Sequence, residues 1–167
     1  TSLCGGFNAN VIRHLVDLLA EYKPLGLENI LVFPVGKKVA DAVRKLGFRI
    51  EGDFQHMADK PSYQEAADLA ADLMKRFLHG DVDKVELLYN HFKSTASQIL
   101  TRETYLPIDL NNEKKEEERT IDYILEPSAE ELMQEMLPKV LRMKMFTVLL
   151  DSNAAEPVSY THLTLPT

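Results

Sequence analysis

Helical and strand-like patterns alternate along residues 11–89, and this alternation constrains the fold more than any other feature. Apolar side chains recur at spacings of three and four residues in 11–22, 39–46 and 66–77, which predicts three helices with one buried face each. The intervening runs 28–35, 48–50 and 84–89 are short and apolar, as in strands buried on both faces. This order predicts an α/β fold with a mostly parallel sheet and helices on both faces.

Glycines and capping residues mark the predicted helix ends. Gly5 and Gly6 are interpreted as a turn between a strand end and the first helix, with Asn8 or Asn10 as its cap. A phosphate-binding loop is the less favoured reading of this junction, because neither the Walker spacing nor the three-glycine dinucleotide spacing is present. Gly47 predicts a left-handed helix end.

Two capping boxes predict further helix starts, at Ser62 with Glu65 and at Ser128 with Glu131. The helix after Ser128 contains Pro138, which should bend it or remove one hydrogen bond. Its apolar residues cover more than one face, which favours a partner helix that is not in this sequence. We therefore expect a set of its side chains to be largely exposed: Leu141, Met145, Phe146, Val148 and Leu149.

Between these regions the pattern becomes strand-like with mixed polarity. Residues 99–108 and 119–125 read as extended segments that could pair antiparallel, forming an antiparallel extension of the sheet. Residues 111–118 are charged without an apolar anchor, which is typical of a mobile loop.

Charge and composition exclude several classes of function. The 26 acidic and 19 basic residues give a net charge of -7, which argues against a nucleic-acid partner. Residues 30–35 form an apolar run far shorter than the roughly 20 residues needed to cross a bilayer, so no direct membrane span is expected. One cysteine allows no internal disulfide and favours a reducing compartment.

No combination of residues predicts catalysis. Cys4 near a helix start could be a lowered-pKa nucleophile, although most lone cysteines are small buried hydrophobes. The five histidines lack metal-ligand spacing, and the pair Asp68 and Asp72 reads as solvated acids. We therefore predict no catalytic residue, no cofactor and no metal site.

Five ordered segments resemble the gamma subunit of rotary F-type ATP synthases. They begin with Leu-Cys-Gly-Gly-Phe-Asn and end with Leu-Leu-Asp-Ser-Asn-Ala-Ala-Glu, at residues 3–8, 85–94, 105–108, 122–128 and 149–156. The resemblance implies a Rossmann-like foot domain carrying part of a long axle helix. It also implies a non-catalytic central-stalk subunit that couples rotation of a membrane ring to conformational change in the catalytic subunits.

The resemblance further implies partners and a location. The partners would be the alpha and beta subunits, the epsilon subunit and the membrane proteolipid ring, on the cytoplasmic face of the bacterial inner membrane. Leu3, Cys4, Gly5 and Gly6 would lie near the lower tips of the beta subunits, and Tyr123 toward the ring and epsilon. Helix residues in contact with other parts of the axle would be Leu141, Met145 and Leu149.

Compared with the family pattern, a first strand and an N-terminal axle helix are expected to be missing, and the tail departs from it. We divide the chain into a foot domain at residues 1–127, the start of the axle helix at 128–156, and a non-native-looking tail at 157–167 that we leave out of the fold prediction. The competing hypothesis is a small flavodoxin-like nucleotide-binding enzyme or module, which should have a pocket at the carboxyl ends of its parallel strands.

Overall fold

The chain is an α/β protein with a five-stranded sheet between helices. The computed structural model describes residues 5–94, 97–108, 129–154 and 161–166. The helices are α1 (Gly5–Tyr22), α2 (Lys37–Lys45), α3 (Tyr63–Leu78) and α4 (Ala129–Ala154). The strands are β1 (Ile30–Val35), β2 (Arg49–Ile50), β3 (Val85–Ser94), β4 (Ser97–Leu106) and β5 (Thr161–Pro166). The predicted alternation of helices and strands up to β3 is confirmed.

The sheet has the strand order β2-β1-β5-β3-β4. Strands β1 and β2 pair in parallel, with Leu31 opposite Arg49, and β5 pairs antiparallel with both β1 and β3. Strands β1, β2 and β3 therefore run in the same direction, as the α/β prediction requires. Strand β4 forms an antiparallel hairpin with β3 and extends the sheet at that edge.

Two apolar layers cover the sheet, one on each face. Alternate residues of β1 point to opposite faces, so all six are buried. Ile30 and Val32 pack with α1 and α2 through residues such as Leu15 and Val39. Members of the opposite layer come from β1, β3, α3 and α4 and include Leu31, Phe33, Leu87, Leu73 and Met145. The result is a three-layer arrangement in which β3 belongs to both layers.

The first helix begins earlier than predicted, at the glycine junction itself. Helix α1 already starts at Gly5, so Gly5 and Gly6 lie in its first turn and the Asn8 and Asn10 capping prediction is wrong. Asn10 lies within the helix, where its Oδ1 accepts a hydrogen bond from Arg13 at 2.8 Å. The strand predicted before these glycines lies outside the described residues. By contrast, Gly47 has the expected positive φ of 83°.

One half of the first capping box forms. Ser62 Oγ accepts a hydrogen bond from the backbone N–H of Glu65 at 3.5 Å, which starts α3 as predicted. The Glu65 carboxylate instead contacts His56 Nε2 at 2.7 Å, because the turn at residues 55–58 brings this imidazole within reach. Ser128 of the second box, like residues 111–118 and 119–125, lies outside the described residues. Helix α4 nevertheless continues through Pro138.

The predicted exposure of the α4 apolar face is wrong. Leu141, Met145, Val148 and Leu149 are only 6%, 0%, 1% and 2% exposed, and Phe146 is partly buried. Helix α4 lies across the sheet beside α3, so two neighbours cover the surface for which we expected a separate helix. Periodicity predicted an apolar face correctly, but it could not identify α3 as its cover.

Residues 161–166, which lie in the tail that the fold prediction omits, form a strand of the sheet. As β5 they lie between β1 and β3, with Phe33 opposite Leu163 and Leu88 opposite His162. The threonine-rich segment is extended, as its composition suggested.

Met145→Ala tests the burial of α4. Because Met145 is fully buried, we expect the substitution to lower the free energy of unfolding by about 2 to 5 kcal/mol. Met143, on the same helix, is 54% exposed, so Met143→Ala should change it by less than about 0.5 kcal/mol. Urea denaturation followed by circular dichroism measures both values. Equal effects of the two substitutions would contradict the described position of α4.

Candidate functional site

The candidate functional site is the junction that holds α4 on the sheet, which we call the helix clamp. It consists of side chains from β3 and β4 and the facing residues of α4: Tyr89, His91, Glu103, Tyr105, Leu141, Lys144 and Asp151. Beneath these groups, the apolar residues of α4 pack with Leu69 and Leu73 of α3 in one core. The clamp therefore combines apolar burial with directional polar contacts.

The deepest polar contact of the clamp joins β4 to the backbone of α4. Tyr105 Oη donates a hydrogen bond of 2.6 Å to the carbonyl oxygen of Leu141. Tyr105 is 4% exposed, and burial raises the pKa of its phenol well above the ordinary value. Burial favours the neutral phenol because the charged phenolate would lose hydration without a cation nearby. This contact fixes one point of α4 relative to the sheet.

A second contact is centred on the Glu103 carboxylate. Tyr89 Oη donates to Glu103 Oε1 at 2.7 Å, and Lys144 Nζ of α4 lies 2.9 Å from the same oxygen. Burial and then the hydrogen bond to Glu103 raise the pKa of Tyr89, so this phenol also stays neutral and donates. Glu103 thus links both strands of the hairpin to the middle of α4.

Two contacts nearer the surface complete the attachment. His91 Nδ1 lies 2.7 Å from Asp151 Oδ2, near the C-terminal end of α4. The Tyr63 and Phe146 rings meet edge to face, with centroids 5.6 Å apart. A partly exposed pair such as His91 with Asp151 contributes less than about 1 kcal/mol. These contacts extend the attachment over several turns of the helix.

A separate charged cluster ties α1 to the hairpin on the opposite face of the sheet. The Glu86 carboxylate is 4% exposed, and Arg102 Nη2 lies 3.3 Å from each of its oxygens. Lys84 Nζ lies 3.3 Å from Glu86, and Arg102 Nη1 donates to Glu21 of α1 at 2.9 Å. Two cations thus compensate the charge of one buried carboxylate. The cluster links α1 to the hairpin, which is a structural role.

A small cavity lies at the carboxyl ends of the parallel strands β1 and β2. It has a volume of about 170 Å³ and lies beside Pro34 of β1 and Ile50 of β2. Nucleotide-sized ligands occupy pockets of roughly 300 to 1,000 Å³. The Arg44 guanidinium at its edge is paired with Asp41 at 3.0 Å. This cavity is therefore smaller than the sites that nucleotides occupy, and the guanidinium that lines it is already paired.

A larger acidic cavity of about 340 Å³ lies between α3 and the turn at residues 53–58. Three of its four carboxylates contact neighbouring side chains at 2.7 to 3.1 Å: Glu65 with His56, Asp68 with Gln64, and Asp72 with Arg76. The fourth, Asp53, accepts a hydrogen bond from the backbone N–H of Gln55 at 3.3 Å. Within the described residues no group of three or more His, Cys, Asp or Glu side chains is placed to hold a metal ion. The cavity offers carboxylates but no nucleophile with a base and an orienting group.

The predicted site residues are only partly described. Gly5 and Gly6 lie in the first turn of α1, whereas Leu3, Cys4 and Tyr123 lie outside the described residues. The apolar core beneath the helix clamp contains the three predicted site residues of α4: Leu141, Met145 and Leu149. Their role in contacts with other subunits stays a prediction. In this chain their side chains are buried against the sheet and α3.

Sequence reasoning missed the polar members of the clamp. Tyr89 and His91 share the strand face of Leu87, and Lys144 and Asp151 lie seven residues apart on one helix face, so each pattern was visible locally. The sequence did not show which face of α4 packs against which face of the sheet. Tyr105 and Leu141 are separated by 36 residues, and no local pattern joins them.

Comparison with known proteins gives a consistent family. The sequence profile of the ATP synthase family matches residues 1–160. The ATP synthase gamma chain of Phocaeicola vulgatus is 74% identical over 163 residues, covering 96% of this chain and 56% of that protein. Strand β5 lies beyond the profile match.

More distant relatives carry the same description. The ATP synthase gamma chain of Bacteroides thetaiotaomicron is 52% identical and covered over 58% of its length. That of Christiangramia forsetii is 37% identical, with 92% of this chain and 52% of that protein covered. The chain thus spans little more than half the length of the curated relatives it matches.

Tyr105→Phe tests the central contact of the clamp. At pH 8 we expect the loss of the hydrogen bond to Leu141 to lower the free energy of unfolding by about 1 kcal/mol. Because the pKa of Tyr105 is raised in the folded protein, the neutral phenol contributes its full stabilisation below a pH of about 10, the ordinary phenol value. This stabilisation is lost as the pH rises further. The difference in the free energy of unfolding between wild type and Tyr105→Phe should therefore be smaller at pH 11 than at pH 8.

Urea denaturation at the two pH values measures this difference. Tyr63 is 44% exposed, so Tyr63→Phe should change the free energy of unfolding at pH 8 by less than about 0.5 kcal/mol. A difference for Tyr105→Phe that widens between pH 8 and pH 11 would contradict a buried neutral phenol.

Proposed function

The chain belongs to the ATP synthase gamma family, and we propose that it forms the foot of the central stalk together with the beginning of its long axle helix. In this role the foot turns with the proteolipid ring, and the axle forces the catalytic subunits through their nucleotide states. Because the chain spans little more than half of its relatives, the activity proposed is that of the whole subunit within its complex.

The observation that carries the proposal is the helix clamp. A shaft transmits torque only if the foot and the helix turn as one body. The hydrogen bond of 2.6 Å from Tyr105 and the ion pair of 2.9 Å between Glu103 and Lys144 join the hairpin to α4 above a common apolar core, and the 2.7 Å contact between His91 and Asp151 joins them nearer the surface. Such interlocked packing deforms little under load, because interiors are close-packed and have low compressibility. This arrangement suits a mechanical element.

We propose that the subunit is not itself catalytic. The 170 Å³ cavity at the carboxyl ends of the parallel strands and the paired carboxylates of the 340 Å³ cavity support this. A flavodoxin-like enzyme would bind its ligand at the first of these places. Within the described residues, neither cavity favours the competing nucleotide-binding hypothesis.

The proposed partners are the alpha and beta subunits, the epsilon subunit and the proteolipid ring. By resemblance, Leu3, Cys4, Gly5 and Gly6 face the lower tips of the beta subunits, and Tyr123 faces the ring and epsilon. None of the described helices is both long and apolar enough to cross a bilayer. We propose a peripheral location on the cytoplasmic face of the bacterial inner membrane, where the complex supplies the attachment.

Co-purification and coupling test the proposal. The complete gene product that carries this chain should co-purify with the alpha and beta subunits. In vesicles, the reconstituted complex should pump protons when ATP is added. Omission of the gene product should abolish proton pumping, because no shaft then links the catalytic subunits to the ring.

Isothermal titration with ATP separates the competing hypothesis. The 167-residue chain should show no micromolar affinity for ATP. Micromolar affinity that Gly6→Val removes, together with a complex that pumps protons without the gene product, would overturn the central-stalk role in favour of nucleotide binding.

A further inference from the structure

The space between β1 and β3 is a feature of the sheet that is separate from the helix clamp. The two strands run in the same direction, and β5 lies between them, antiparallel to both. All six residues of β1, Ile30–Val35, lie opposite residues of β5, and so do residues 86–88 of β3. We call this space the strand groove, and residues 30–35 and 86–88 are its two walls. A strand in the groove meets a backbone ladder on each side.

The side chains of the walls determine which residues an occupant needs on the α4 side of the sheet. The position that Leu163 takes lies opposite Phe33 of one wall and Leu87 of the other, and both belong to the buried core beneath α4. Two residues further along, the position of Leu165 lies opposite Leu31 of the same core. A charged residue at these positions would be buried beside apolar neighbours at a high cost in free energy. The groove therefore requires apolar residues at alternate positions.

The intervening position has a different requirement. Thr164 lies opposite Val32 of β1 and Glu86 of β3. The Glu86 carboxylate is almost fully buried, and like charges directly opposite each other destabilise a sheet. An acidic residue is therefore disfavoured here, whereas a β-branched residue such as threonine suits a strand. Together the walls specify an extended segment that has apolar residues at alternate positions and no acid between them.

Strand β5 meets these requirements but is not a complete match to the groove. Within the described residues, only positions 162–164 pair with both walls, whereas Thr161, Leu165 and Pro166 pair with β1 alone. Pro166 also has no N–H to donate, and proline is uncommon inside a sheet. Both walls lie within residues 1–160, which the family profile matches, whereas β5 lies beyond them. The groove and its occupant are thus separable parts of the structure.

We propose that the strand groove is a peptide-binding site for an extended segment with apolar residues at alternate positions, and that β5 is a replaceable occupant of it. The segment binds by strand addition, in which main-chain hydrogen bonds provide affinity. The apolar positions opposite Leu31, Phe33 and Leu87 provide specificity and fix the register. This inference concerns the sheet alone and does not rest on the proposed function.

Competition between β5 and a free peptide tests the strand groove. Leu163→Asp in the 167-residue chain puts a carboxylate opposite Phe33 and Leu87 and should remove β5 from the groove. A fluorescein-labelled peptide with the sequence of residues 160–167 should then bind the variant at least about tenfold more tightly than wild type. In wild type only six residues separate β5 from α4, and a linker this short gives β5 a roughly millimolar effective concentration. Fluorescence anisotropy measures both affinities.

A matched variant and a matched peptide serve as controls. Leu78→Asp makes the same substitution at a position that is 81% exposed at the end of α3, so this variant should bind the peptide as wild type does. A control peptide of the same composition exchanges Thr164 with Leu165, which makes the two leucines adjacent. Because adjacent residues of a strand point to opposite faces, this peptide should bind Leu163→Asp about tenfold more weakly. Amide hydrogen exchange should show that the first peptide protects residues 30–35 of the variant.

Three results would overturn the strand groove: equal affinities of wild type and Leu163→Asp for the peptide, equal binding of the two peptides, and protection that leaves residues 30–35 unchanged. Circular dichroism covers the case in which Leu163→Asp unfolds the chain. The peptide of residues 160–167 should then restore the helical signal, and the control peptide should not. Failure of both peptides to restore the signal, or equal recovery with both, would contradict a site that recognises alternate apolar residues.

Discussion

Burial of one face of α4 is the interaction on which the rest of the structure depends. Leu141, Met145 and Leu149 fill the space between α3 and the sheet, and the same core contains the inner residues of β1 and β3. The hydrogen bond from Tyr105 Oη to Leu141 O fixes the register of the helix. A slide by one turn moves α4 by about 5.4 Å, which would break this bond and the contact between Lys144 and Glu103.

The centre of the sheet imposes a second constraint. Strands β1 and β3 run in the same direction, and β5 lies between them, antiparallel to both. A gap at this place would leave backbone N–H and C=O groups without partners inside the fold. The family match ends at residue 160, so the strand that closes the sheet in this chain comes from outside the match. The backbone N–H and C=O groups of β1 and β3 need hydrogen-bond partners, and a strand between them provides these partners.

The parts of the fold that could be predicted are those set by local spacing. The apolar stripe of α3 and its Ser62 cap are local signals, and both are correct. The Glu65 side chain departed from its expected role because His56 reaches it from a separate turn. The exposure of Met145 was predicted wrongly for a related reason: a periodic pattern shows that a face is apolar, but the element covering it is far away in sequence. Resemblance to the family is the basis of the proposed function, whereas the helix clamp could be found only in the structure.

Amide hydrogen exchange through α4 tests the account most directly. If the helix clamp holds α4 to the sheet, amides at residues 141–149 should exchange as slowly as those of β3, through opening that requires global unfolding. Mass spectrometry of the 167-residue chain at neutral pH measures both segments in one experiment. Slow exchange in β3 with fast exchange at residues 141–149 would show that α4 frays from the sheet, and the foot and the helix would then not turn as one body.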